Sequence, residues 1–212
     1  MASTLANLRY WAQYLVGDPQ MTTYSTQMYT DAINFAIKEY VHKTGVTYFE
    51  ISASVAATGL ASIPTDYMKV NRVIYGGSEL VESDFKFESY RSPTWQTDTL
   101  VTGPRRWVKW SGSQVKLTPV LVTWPGTCTI GYTQTPTALS ADADTVDVRI
   151  PLPHNEYLKY AAGFWLLNLD GDSQDLQQAN MFMQEFNSLI GYSDPVLTAT
   201  INQVRKEGKL EV

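Results

Sequence analysis

Thr47-Tyr-Phe-Glu-Ile-Ser-Ala-Ser-Val55 is where the chain changes its period. Phe49, Ile51, Ala53 and Val55 alternate with Tyr48, Glu50, Ser52 and Ser54, the two-residue repeat of a half-buried strand. Immediately upstream the repeat is helical: Tyr29, Ile33, Ala36, Ile37 and Tyr40 fall on one stripe, with Ser25 placed to cap its start and Gly45 near its end. An earlier helix is expected from Leu5, Leu8, Ala12 and Leu15, capped by Ser3 and stopped at Gly17-Asp18-Pro19.

Downstream, strand signals continue. Val70 to Tyr75 and Glu79 to Glu82 flank Gly76-Gly77-Ser78, where glycines supply the positive φ of a hairpin turn. Arg106 to Trp110 and Gln114 to Leu117 flank Ser111-Gly112-Ser113, and Thr127 to Tyr132 forms a further strand. Pro125-Gly126, Pro136 and the polar run Ser140 to Asp147 punctuate the exit. At Pro153 the helical period returns, with Tyr157, Ala161, Phe164, Trp165 and Leu169 toward a core. Asp170-Gly171-Asp172 breaks it, and Ser173 caps a helix with the stripe Leu176, Ala179, Met183, Phe186 and Ile190; so short a connection makes the last two helices antiparallel neighbours.

The fold class expected is α+β: an antiparallel helical bundle built from both ends of the chain, with a central β-rich insertion and an extended C-terminal tail. Residues 1–46 and 151–191 form the bundle, 47–150 the β-rich lobe and 192–212 the tail. In that tail Leu197, Ile201 and Val204 make a thin apolar seam followed by Arg205 and Lys206, which can gain burial only on a partner.

The 212 residues carry sixteen Lys and Arg against twenty-one Asp and Glu, a net charge of -5, so no global attraction to nucleic acid or anionic membrane exists. Charged residues are 17% of the chain, below the usual share of about 25%, which favours protein contacts. The single cysteine, Cys128, excludes an intramolecular disulfide framework. The opening Met1 to Arg9 lacks a secretory pattern, and no apolar run reaches the roughly 18 residues a membrane helix needs, so no membrane association is expected.

Catalytic apparatus is not legible. His42 and His154 stand apart near helix ends, and no nucleophile elbow, dinucleotide fingerprint or Walker loop is present, so neither enzyme activity nor a cofactor is expected. Asp170, Asp172 and Asp175 fail the calcium-loop pattern, which needs glycine where Asp175 stands and glutamate where Met181 stands. Asp142, Asp144 and Asp147 read as a solvated loop or an ad hoc cation site. Arg105-Arg106-Trp107-Val108-Lys109-Trp110 interleaves basic and aromatic residues, which suits nucleic-acid stacking, cross-strand packing or a protein contact. Strand alternation puts Arg105, Trp107 and Lys109 on one face and Arg106, Val108 and Trp110 on the other. Trp95, Trp107, Trp110 and Trp124 all lie in the β region, where core filling and sugar stacking are both open readings.

Several phrases, in order, resemble the head-to-tail adaptor proteins of tailed bacteriophages. They are Tyr24-Ser-Thr-Gln-Met-Tyr-Thr-Asp-Ala-Ile-Asn-Phe-Ala, Ile63-Pro-Thr-Asp-Tyr-Met-Lys-Val-Asn-Arg-Val-Ile-Tyr-Gly-Gly, Gly103-Pro-Arg-Arg-Trp, Val115-Lys-Leu-Thr-Pro, Thr127-Cys-Thr-Ile-Gly-Tyr, Leu139-Ser-Ala-Asp-Ala-Asp-Thr and Pro153-His-Asn-Glu-Tyr-Leu-Lys-Tyr-Ala-Ala. The departures are Ile63 where leucine is usual, and the basic Arg105-Arg106. The resemblance, over residues 24 to 190, implies a structural virion protein of the head–tail junction, assembled in the host cytoplasm. It implies a head-completion subunit forming a homo-oligomeric, dodecameric ring below the portal, which extends the DNA channel without specific DNA binding and docks tail or nozzle proteins. On that reading Leu197, Ile201, Val204, Arg205 and Lys206 are expected to bind the portal ring, and Arg105, Arg106, Trp107 and Trp110 to form a tail or subunit interface. The alternative is a carbohydrate-binding or DNA-binding module of a phage tail component.

Overall fold

The computed structural model describes residues 3–100, 103–121, 126–170 and 173–191. They divide into two compact units, one made by the described residues up to Val46 together with those from Pro136 on, and one by those within Thr47–Thr135. The tail expected over 192–212, with Leu197, Ile201, Val204, Arg205 and Lys206, and the expected β-region Trp124 lie outside the described residues.

In the first unit, α1 (Leu5–Leu15) and α2 (Thr26–Thr44) precede α4 (Leu152–Asn155), α5 (Leu158–Asp170) and α6 (Ser173–Leu189). α2 follows its sequence signals: Ser25 accepts the Met28 N–H, and Gly45 closes the helix at φ 65°, a conformation that favours glycine. α1 is capped by Thr4 instead of Ser3, because the Ser3 carbonyl accepts the Val146 N–H and Thr4 pairs with Thr145. Leu139, Val146 and Ile150 of the 136–150 segment are buried with the helices.

α5 packs against α1, α2 and α6. Its buried residues are Leu158, Ala161, Ala162, Leu166 and Leu167, while Leu169 is 49% exposed, so the buried face is rotated from the expected stripe. A helix with three neighbours buries most of its circumference, and a single-stripe reading cannot place it. On α6 only Ala179 and Phe186 of the expected stripe are fully buried, and Leu176 is exposed.

The second unit is a seven-stranded sheet in the order β1-β9-β3-β4-β6-β7-β2. Its strands are β1 (Tyr48–Ser54), β2 (Leu60–Ser62), β3 (Tyr67–Tyr75), β4 (Ser78–Ser83), β6 (Arg106–Ser111), β7 (Gln114–Thr118) and β9 (Thr127–Gln134); β5 (Thr99–Leu100) and β8 (Val120–Leu121) pair separately. The two edge strands approach each other, and a Val55–Ala61 bridge just past β1 links them, so the sheet nearly closes on itself. Ala53, Val73, Leu80, Trp107, Leu117 and Ile130 are among the residues filling its interior.

That closure overturns the expected fold class of an antiparallel helical bundle with a central β insertion. The strands form a barrel-like sheet around a core of their own. Alternation marks which face of a strand is apolar, but it carries no information on strand pairing. Within the seven-stranded sheet the pairing that no local pattern shows is the parallel one of β4 with β6, at Val81–Arg106, Glu82–Trp107 and Ser83–Val108.

Candidate interaction surface

A parallel strand pair needs a crossover, and the chain between β4 and β6 supplies it with α3 (Phe85–Arg91). Asp84 starts the helix by accepting the Phe87 N–H at 2.7 Å. The helical repeat then turns Glu88 fully inward and leaves Phe85, Phe87 and Tyr90 exposed by 46%, 52% and 92%. Val81, on the adjoining strand, is 65% exposed. A cleft lined by Val81, Glu82, Ser83, Asp84, Phe87 and Arg106 runs beside them.

Glu88 is held from several sides. Ser83 Oγ donates at 2.7 Å, Arg91 Nε and a terminal nitrogen lie at 3.0 and 2.9 Å, and an Arg106 nitrogen lies at 3.7 Å. Removing a carboxylate from water is costly unless charge and donors surround it, and both are provided here. The Arg106 guanidinium also lies over the Phe87 ring, 5.8 Å from its centroid. Beside this clamp Phe85, Trp95 and Trp110 form an aromatic triad with centroid separations of 5.2 to 5.9 Å. Trp95 is buried, with its indole N–H donated to Ser89 Oγ at 3.1 Å.

The sequence-singled residues separate. Arg105 is exposed, with its N–H donated to the Thr118 carbonyl and its own carbonyl accepting from Val81. Arg106 is part of the Glu88 clamp, and Trp107 is 2% exposed inside the sheet. Trp110 belongs to the triad, at an irregularity in the β6–β7 register. Sequence reasoning missed Val81, Phe85, Phe87 and Tyr90. The signal was present in Asp84-Phe-Lys-Phe-Glu-Ser-Tyr-Arg91, a capping residue before closely spaced aromatics, but the run is too short to show a helical period.

Elsewhere the acidic loop is engaged within its own unit: Asp142 pairs with Arg9 of α1 at 2.6 Å, Asp144 accepts the Ser140 and Ala141 N–H groups, and Asp147 pairs with Arg149. His154 Nδ1 shares a 2.6 Å hydrogen bond with the Tyr40 hydroxyl. Among the described residues no His, Cys, Asp and Glu side chains group as a metal site, and no helix is long and apolar enough to cross a membrane.

The family model of the SU10 adaptor protein matches residues 3–205, a span that includes both units. The chain belongs to the SU10 adaptor protein family. No curated protein matches its sequence. As an SU10 adaptor family member the chain is a structural phage adaptor, a class defined by assembly and not by catalysis. Membership implies interaction with portal and tail proteins and a place at the virion's head–tail junction.

Proposed function

We propose that this adaptor closes into a homo-oligomeric, dodecameric ring below the portal, extends the DNA channel, and offers a docking surface to tail or nozzle proteins. The observation carrying this reading is the display of Val81, Phe85, Phe87 and Tyr90 on the surface around the Glu88 clamp. Exposed aromatic side chains on a fixed backbone give large contact area at small entropy cost, as protein interfaces require. Residues 192–212 serve as the portal-docking tail, with Leu197, Ile201 and Val204 as anchors and Arg205 and Lys206 beside them. Arg106, Trp107 and Trp110 belong to β6, which packs against α3, and with Arg105 just before that strand they support the tail or subunit interface. A net charge of -5 lets DNA pass without retention, since a basic bore would hold phosphates by counterion release.

The test is electron microscopy of the full chain mixed with its portal. Rings on the portal support the reading, and a chain lacking residues 192–212 should stay folded yet fail to attach. Attachment of the truncated chain would refute the tail's role; strong, salt-sensitive binding of the isolated subunit to duplex DNA would refute the inert channel.

A further inference from the structure

Lys116, on β7, is only 5% exposed, yet it lines a cleft of about 340 Å³ together with Ala57, Thr58, Gln96, Thr97 and Trp110. Its Nζ donates to the Thr58 carbonyl at 3.0 Å and lies 4.9 Å from the centroid of the Trp110 ring. Among the described residues no carboxylate pairs with it, and burial alone lowers its pKa. An ammonium has three donors. One goes to Thr58 and the aromatic face attracts the charge without accepting a full hydrogen bond, which leaves donor capacity toward the cleft. For packing alone an apolar side chain of similar volume would serve without the desolvation cost.

We propose that the Lys116 cleft receives a carboxylate, that of an Asp or Glu side chain on an incoming protein segment. The charge it brings completes the ammonium's coordination, the Gln96 amide supplies a further donor at the mouth, and the Trp110 ring forms the wall. One buried cation matches one carboxylate; a nucleic-acid backbone needs an array of cations, and among the described residues Lys116 is the one basic residue lining the cleft. The inference holds whichever protein supplies the segment, and it does not depend on ring closure or on the portal.

The experiment is a titration of the full chain with N-acetyl-glutamate N-methylamide, followed by the Trp110 indole resonance and by the ¹³Cε resonance of Lys116. A saturable indole shift and a rise in the Lys116 pKa are expected, with binding at least tenfold weaker in K116M and unchanged in K109M. Absence of saturation, equal binding by K116M, or an equal response to inorganic phosphate or a DNA duplex would overturn it. If K116M does not fold, the Lys116 titration in the native chain decides, and no upward movement at saturating ligand refutes the site.

Discussion

The Arg106 guanidinium lies 3.7 Å from the carboxylate of Glu88, a glutamate with no exposed surface, and Arg91 approaches the other oxygen at 2.9 Å. The two arginines are each about one-third exposed, so either can relax into water when its partner is lost. Arg106→Ala or Arg91→Ala alone should therefore cost about 1 kcal/mol. The double variant leaves a buried charge with only Ser83, and the expected loss is about 3–5 kcal/mol. Urea unfolding of the three proteins checks this; simple additivity would show that the arginines act independently of Glu88.

The loop between α1 and α2 is organised by Asp18, which is buried. Its Oδ1 accepts from the Thr22 N–H and hydroxyl, and its Oδ2 from the Thr23 and Tyr24 N–H groups and the Tyr29 hydroxyl. Burial works to raise its pKa, but N–H donation from Tyr24 and Thr22, with the Thr22 and Tyr29 hydroxyls, outweighs it and lowers it to about 2. An unfolded Asp titrates near about 4, so the contribution is present above that pH and is lost as pH falls toward 2. Asp18→Ala should lower Tm at pH 7, and the gap from the unsubstituted protein should narrow below about pH 4. A gap independent of pH would contradict the assignment.

Gly163 sits in α5 where a Cβ would come 2.8 Å from the Phe182 ring and 3.1 Å from Leu15 Cδ2. Alanine would improve intrinsic helix propensity by about 1 kcal/mol, yet overpacking costs about 1–3 kcal/mol. The close approach of α5 to α6 and α1 decides the sign, and Gly163→Ala should be net destabilising in thermal melts. Stabilisation would mean that the helices yield at this point.

Tyr90 and Val81 are mostly exposed, so Tyr90→Ala and Val81→Ser should change stability by less than about 0.5 kcal/mol. Their expected effect is on assembly: the double variant should remain folded by circular dichroism but lose docking of the tail protein to portal-bound adaptor in a pull-down. Undiminished docking would remove this face from the interface.

Cys128 is 1% exposed in the sheet core, and burial pushes its thiol up to about 11. At pH 8 almost none is thiolate, so Ellman's reagent should react only on unfolding. Prompt labelling of the native chain would place the thiol at the surface.

Local signals were largely legible. Ser25 and Gly45 bracket α2, and the Gly76-Gly77 turn joins β3 and β4, because caps and turns are decided by a few neighbouring residues. The α5 stripe was misplaced since burial on several faces removes the contrast that periodicity measures. The interaction surface was reached only in part: Arg106 and Trp110 were singled out, while Phe85, Phe87 and Tyr90 sat in a run too short to register.

By itself the sequence determined where helices give way to strands at Thr47, how the hairpin turns, and, through ordered phrases, the adaptor family; each depends on neighbouring residues or on their order. Tertiary structure alone decided that β4 pairs in parallel with β6, that the sheet nearly closes, and that Glu88 and Trp107 turn inward while Tyr90 turns out. Pairing joins segments distant in the chain, and which partner wins depends on the summed burial of all strands together, a quantity that no local pattern encodes.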